Sequence, residues 1–284
     1  MRVATIRTPG ASAAARVDGE TVTVLPYGDV AELLASGGDW PARAAGVSGD
    51  TLPLADVRFA PLVPRPEKIF CIGLNYRSHA QEADVEPPKY PAVFAKYWRS
   101  LVGPTDPIVL PANSQMVDWE AELGIVVGTP LRMVDESAAL DGIAGYTIVN
   151  DISMRDWQLR TSEFLQGKTF EASTPLGPLL VTSDEVDHAR RLRLTCYVDD
   201  ERVQDAYTDD LIFGPAAIVS YLSQFITLTP GDIIATGTPS GVGALRQPPR
   251  YLRAGQTLRT SIEGLGEQRN TCRAGLTSEP DQRG

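Results

Sequence analysis

Residues 117–128, VDWEAELGIVVG, decide how this chain is read. Val117, Trp119, Ala121, Leu123, Ile125 and Val127 alternate with Asp118, Glu120, Glu122 and Gly124. Strand side chains alternate between faces, so the period predicts a strand with three acids on one face. Acids aligned in this way repel unless a cation sits among them. Taken alone, an E-x-E pair is an ordinary solvated face. The almost wholly apolar residues 123–127 point this strand into a core instead.

Short β-like pieces surround it: RVATIR (2–7), KIFCIG (68–73), GYTIVND (145–151), GDIIATG (231–237) and LRTSIEGLG (258–266). Helical patterns occur at NYRSHAQEAD (75–84), DISMRDWQLRTS (151–162) and GPAAIVSYLSQF (214–225). The strands outnumber the helices and lie too close together for regular βαβ units, so the class is α+β with a mixed sheet. At roughly 150 residues per domain, 284 residues make one large domain or two smaller ones. FAPLVPRPEK (59–68) carries Pro61, Pro64 and Pro66 and reads as a linker. It divides a small N-terminal domain, 1–65, from a catalytic domain, 66–275, and residues 276–284 are expected to be a disordered tail.

The net charge of −10, with no Lys/Arg-rich run, argues against nucleic acid or an anionic membrane as partner. An anionic substrate would need a locally positive site. No apolar run reaches membrane-span length and the first residues lack a signal-peptide core, so a cytoplasmic chain is expected. The three cysteines are far apart, with no C-x-x-C, and encode neither a disulfide framework nor a zinc or iron–sulfur site. Only His79 and His188 are histidines. Any metal must therefore be held by oxygen, which favours Mg²⁺, Mn²⁺ or Ca²⁺.

Several side chains could carry chemistry. Asp151 stands where a helix N-cap acid belongs, and capping alone would explain it. Asp151, Arg155 and Gln158, at i, i+4 and i+7, share one face of a predicted helix, about 10 Å from end to end. They could hold a metal, a carboxylate and a carbonyl in turn, or form only a surface ion pair. His79 and Glu82, at i and i+3, suit a general base oriented by a carboxylate, or a plain surface contact. Lys168 precedes a Pro/Gly-rich loop and by itself reads as a surface lysine. TGTPSGVG (236–243) fits neither the P-loop nor the dinucleotide fingerprint, yet it could offer backbone N–H groups and the Thr238 hydroxyl to a carboxylate.

Six stretches in this order resemble the fumarylacetoacetate hydrolase family, from about residue 66 to 275: GLNYRSHAQE, VFAKYWRSLVGP, VDWEAELGIVVG, NDISMRDWQ, GKTFEASTPLGP and LTPGDIIATGTPSGVG. The resemblance implies a mixed β-roll, with the first 60 residues as the small N-terminal domain of longer members, and a homodimer. It implies one divalent ion, Mg²⁺ or Mn²⁺, on Glu120, Glu122 and Asp151. It implies a catalytic dyad of His79 and Glu82 on a segment that closes over substrate, and Lys168 as an oxyanion donor. Arg155, Gln158, Thr238 and Tyr76 fall among substrate-contacting positions, with Lys96 near the pocket mouth. Tyr97, Trp98 and Arg99 fall in a variable segment near that mouth. Glu171 replaces the usual Asp, and Asp200-Glu201 a common turn Asn-Gly. The implied reaction is metal-dependent hydrolysis of a C–C bond in a small 2,4-dioxo acid. Decarboxylation of a β-keto acid, or isomerisation of a 2-oxo-enoate, would use the same site. A non-catalytic binding member is the remaining alternative.

Overall fold

A computed structural model describes residues 1–275; the tail expected at 276–284 lies outside the described residues. Ten strands form one sheet in the order Thr51–Pro53, Thr21–Val24, Ala11–Asp18, Arg2–Thr8, Leu180–Val181, Ile143–Asn150, Ala121–Val127, Ile233–Ala235, Ile69–Gly73 and Ala92–Ala95. Five more form a second sheet: Glu201–Tyr207, Arg193–Val198, Thr257–Ile262, Gly266–Ala274 and Ile108–Leu110. Most neighbours are antiparallel. Ile233–Ala235 runs parallel to Ile69–Gly73, and Gly266–Ala274 parallel to Ile108–Leu110, which makes both sheets mixed as the strand spacing predicts. The first four strands join the large sheet edge to edge, where Arg2 pairs with Val181 and Val3 with Leu180.

Ala121–Val127 lies between Ile143–Asn150 and Ile233–Ala235 and is buried along its whole length. Leu123, Ile125 and Val127 point into the core shared with the second sheet, against Leu194, Cys196, Leu258 and Ile262. Val126 points the other way, towards Ile69, Cys71 and Ala235. Burial on both faces is why apolar residues run almost unbroken here, as they do in inner strands. Gly124 shares the face of Glu122; a Cβ there would meet Thr147 Cγ2 and Val149 Cγ2, each at 2.8 Å. The solvated face open to a lone E-x-E pair is therefore absent.

The helix expected over 151–162 is only one turn, Arg155–Gln158. Ser153 and Met154 instead pair as strand with Val117 and Asp118, and Met154 is the N-cap. Asp151 is neither a helix cap nor on a common helix face with Arg155 and Gln158. Two short pairings, 117–118 with 153–154, override the helical period. The hairpin turn read at Asp200-Glu201 sits at Asp199-Asp200, since Val198 pairs with Glu201. No helix among the described residues is long and apolar enough to cross a membrane.

Candidate metal and substrate centre

Glu122 lies in the central strand Ala121–Val127, Glu120 directly precedes it, and Asp151 lies just past its neighbour Ile143–Asn150. Antiparallel pairing sets Ala121 opposite Asn150, which brings the three acids together. An oxygen of each lies within 4.8 Å of the others, and all three residues are buried. The Asn150 side chain locks this junction. Its Oδ1 accepts the Glu120 N–H at 2.9 Å, and its Nδ2 donates to Thr260 of the second sheet.

The cation demanded by the opening acids is first of all Arg155. Its Nε donates to Asp118 Oδ2 at 2.9 Å, and its Nη1 pairs with Glu120 Oε1 at 2.6 Å. Nη1 also donates to Gln158 Oε1, so this arginine and glutamine do act together, although Asp151 is not in their row. Lys168 Nζ binds Glu120 Oε2 and, at 2.9 Å, Asp151 Oδ2. Lys96 Nζ donates to Asp151 Oδ1. Lys96 is buried beneath the acids and does not line the cavity, which corrects its placement at the pocket mouth. Tyr76 is also withdrawn from the substrate side: it is fully buried, its hydroxyl has no partner, and it lies outside the cavity wall. Tyr97, Trp98 and Arg99 do not line the cavity either.

With all groups ionised, Asp118, Glu120, Glu122 and Asp151 outnumber Lys96, Lys168 and Arg155 by one negative charge. The imbalance falls on Glu122. Burial, then the like charges of Asp151 and Glu120, push its carboxyl well above the carboxylate range. Its described hydrogen-bond donor is the Gly237 amide, at 2.7 Å. Burial acts the same way on Glu120, but Arg155 and Lys168 outweigh it and hold that carboxyl at about 2. The same acids raise Lys168 above the usual lysine range against the pull of burial. Three converging oxygens, with one carboxylate short of a cationic partner, fit a hard divalent ion. Such an ion would make the local charge positive, as an anionic substrate in a chain of net charge −10 requires.

A cavity of about 430 Å³ opens onto Glu120, Glu122, Arg155, Gln158 and Lys168. His79 stands in its wall, on the helix Arg77–Glu82. Its Nδ1 lies 3.0 Å from Glu82 Oε2. An ionised carboxylate only accepts, so with a neutral ring Nδ1 donates to Glu82 and Nε2 is the nitrogen left to act as a base. The helix is already docked: Arg77 donates to Leu211 O, and Ser78 to Asp210 Oδ2. Leu74, Val85, Phe94, Leu159 and Phe164 supply apolar wall.

The Gly/Thr loop has a role that its residue types did not reveal. Its backbone amides point at protein acids rather than at an open substrate site. Gly237 N–H holds Glu122, Gly241 N–H holds Glu82 at 2.8 Å, and Gly243 and Ala244 N–H hold Asp118 at 2.7 and 2.9 Å. The Thr238 hydroxyl lies in the wall but donates to Ala121 O and accepts from Gln204. A Cβ on Gly241, where φ is +102°, would lie 2.1 Å from Val203 O, so the loop needs glycine there. Asp118 and Gln204 were missed as site residues. The full D-x-E-x-E pattern was a signal for Asp118, whereas no local pattern marks Gln204.

These features set three buried carboxylates that could hold a metal ion close to a cavity with a His–Glu pair at its wall. Residues 68–273 match the family described as Fumarylacetoacetate (FAA) hydrolase C-terminal. The chain belongs to this family, and its members and neighbours are enzymes. Human oxaloacetate tautomerase FAHD2A, mitochondrial, is 43% identical over 226 residues, 79% of this chain and 72% of the relative. The fumarylacetoacetate hydrolase of Exiguobacterium antarcticum superposes with a TM-score of 0.87 at 31% identity, covering 97% of this chain and all of that one. Maleylpyruvate hydrolase of Sphingobium sp. SYK-6, in complex with manganese(II) and pyruvate, gives 0.79 at 29% identity, with 97% and 100% covered.

Proposed function

We propose that this enzyme enolises a small 2-oxo acid, interconverting the keto and enol forms of an oxaloacetate-like substrate. The observation that carries the reading is His79, paired with Glu82, standing in the wall of the same cavity as Glu120 and Glu122 of the acid triad. The acids would hold Mg²⁺ or Mn²⁺, which supplies Lewis-acid stabilisation of charge developing at the substrate's C2 oxygen. His79 Nε2 takes a proton from C3 and delivers a proton to the C2 oxygen, the reverse transfer restoring the keto form, while Glu82 keeps the ring oriented and steadies its charged form. Arg155 Nη2 is buried without a partner and is the donor left for a substrate carboxylate. The relative with 43% identity, a human oxaloacetate tautomerase, agrees with this chemistry.

Hydrolysis of a C–C bond is the second reading. It is favoured by the dyad's ability to activate water and by the likeness to maleylpyruvate hydrolase. It demands a further donor for a tetrahedral oxygen. Lys168 already gives two of its three N–H bonds to Glu120 and Asp151, and the Phe94 ring centre lies 5.0 Å from Nζ. Enolisation needs no such donor, which places it first. The test follows enol absorbance of oxaloacetate and, separately, release of acetate and pyruvate from acetylpyruvate, each with Mg²⁺ and with EDTA. EDTA-sensitive enol conversion without acetate supports the proposal. Rapid acetate release with no enol conversion would install hydrolysis, and CO₂ from oxaloacetate above the metal-only blank would install decarboxylation.

A further inference from the structure

Resting on that reading, we propose that Asp118 is a positioning residue that aims Arg155 at the substrate carboxylate. Asp118 has no solvent exposure, and both of its oxygens are taken. Oδ1 accepts the N–H groups of Trp119 and Gly243; Oδ2 accepts Ala244 N–H and Arg155 Nε. Arg155 Nη1 is held in turn by Glu120 and Gln158. A planar guanidinium fixed at Nε and Nη1 has no rotation left, so the direction of Nη2 is set. Nη2 is the one buried nitrogen of this group without a partner, and the side chain lines the cavity. Leaving a buried guanidinium N–H unpaired costs free energy that an anionic ligand would recover. The loop packs closely against its neighbour here: a Cβ on Gly243 would lie 1.9 Å from Arg250 O. Asp118 thus ties the cavity loop, the arginine and the first metal-binding acid together without touching the substrate.

D118N is the informative change. One amide group cannot satisfy both oxygen positions: if Oδ1 keeps its two amides, Nδ2 faces Ala244 N–H and Arg155 Nε as donor against donor. The expected result is a KM for oxaloacetate raised about tenfold, the scale of one charged hydrogen bond, with kcat within about threefold. In an R155K background D118N should add nothing to KM, because the group through which it acts is gone. A merely structural Asp118 would lower kcat and thermal stability together and add its loss to that of R155K; either result overturns the proposal. Oxalate binding to the Mn²⁺-loaded protein judges Asp118 even if the wild type turns nothing over, so failure of the reaction reading is separable. Tenfold weaker oxalate binding in D118N supports the assignment, and equal binding overturns it. Should D118N not fold, D118A refolded with formate replaces it. Recovery of oxalate affinity with rising formate supports the assignment, and no recovery overturns it.

Discussion

Lys96→Met tests whether the buried cations are counter-charges to the acid cluster. Lys96 is buried, and its Nζ sits 2.5 Å from Asp151 Oδ1 and 3.3 Å from Ile152 O. Methionine has nearly the same length, so the change removes charge and donor with little change in packing. Breaking a buried ion pair from one side costs about 3–5 kcal/mol. Lys168 still holds the other Asp151 oxygen, so the lower end, about 3 kcal/mol, is expected here. For a chain of this size that is roughly 6 °C in Tm. The assay is thermal unfolding by circular dichroism in EDTA and in Mn²⁺. Without Lys96, Asp151 is freer to meet an ion, so Mn²⁺ should bind the variant more tightly. A tenfold tighter Kd would narrow the stability gap by about 1.4 kcal/mol. A Tm drop under about 2 °C in EDTA, or weaker Mn²⁺ binding, would refute the reasoning.

Glu122→Gln should abolish Mn²⁺ binding in a calorimetric titration and yet raise the Tm of the metal-free protein at pH 8. The Glu122 carboxyl is raised in the folded state, so its contribution is intact below the unfolded value of about 4.5 and declines as pH rises above it. Glu120 has the opposite sign: its contribution is present above about 4.5 and is lost as pH falls towards about 2, which an acid titration of the E120Q variant, lacking that slope, would show. Tyr76→Phe should leave KM unchanged and stability equal or slightly higher, since the hydroxyl has no partner; a KM rise in steady-state kinetics would return Tyr76 to the substrate site. Cys71, Cys196 and Cys272 are free and buried, so a thiol reagent should label none in the native protein and all three after denaturation.

Much of the centre was legible because period-2 alternation and residue chemistry act locally. Of the strand read over 117–128, alternation locates 121–127 but not the break at Trp119–Glu120 that sends 117–118 to another partner, and an oxygen-only candidate ligand set follows from the scarcity of histidine and cysteine. His79 beside Glu82 follows from helical spacing, which the short helix Arg77–Glu82 keeps. What failed depended on pairings distant in sequence. Asp151 looked like a helix cap because residues 155–158 are helical, but Ser153 and Met154 are captured by Val117 and Asp118. Lys96 and Lys168 gave no sign that both reach Asp151 from segments 72 residues apart. The Gly/Thr loop was recognisable as a source of amides, but which carboxylates they hold depends on two separate strands and a helix converging on it. The boundary near residue 65 lies between Thr51–Pro53 and Ile69–Gly73, and the sheet continues across it through the pairing of Arg2–Thr8 with Leu180–Val181.

The most direct test of the account is deuterium uptake at C3 of oxaloacetate in D₂O, followed by proton NMR. It would be run with Mg²⁺ or EDTA, for the wild type and His79→Gln. Exchange should be faster than the Mg²⁺-only blank for the wild type, lost in EDTA and reduced at least about 100-fold by His79→Gln, the lower range for a positioned base. Exchange that survives His79→Gln unchanged, or that proceeds equally in EDTA, would contradict it.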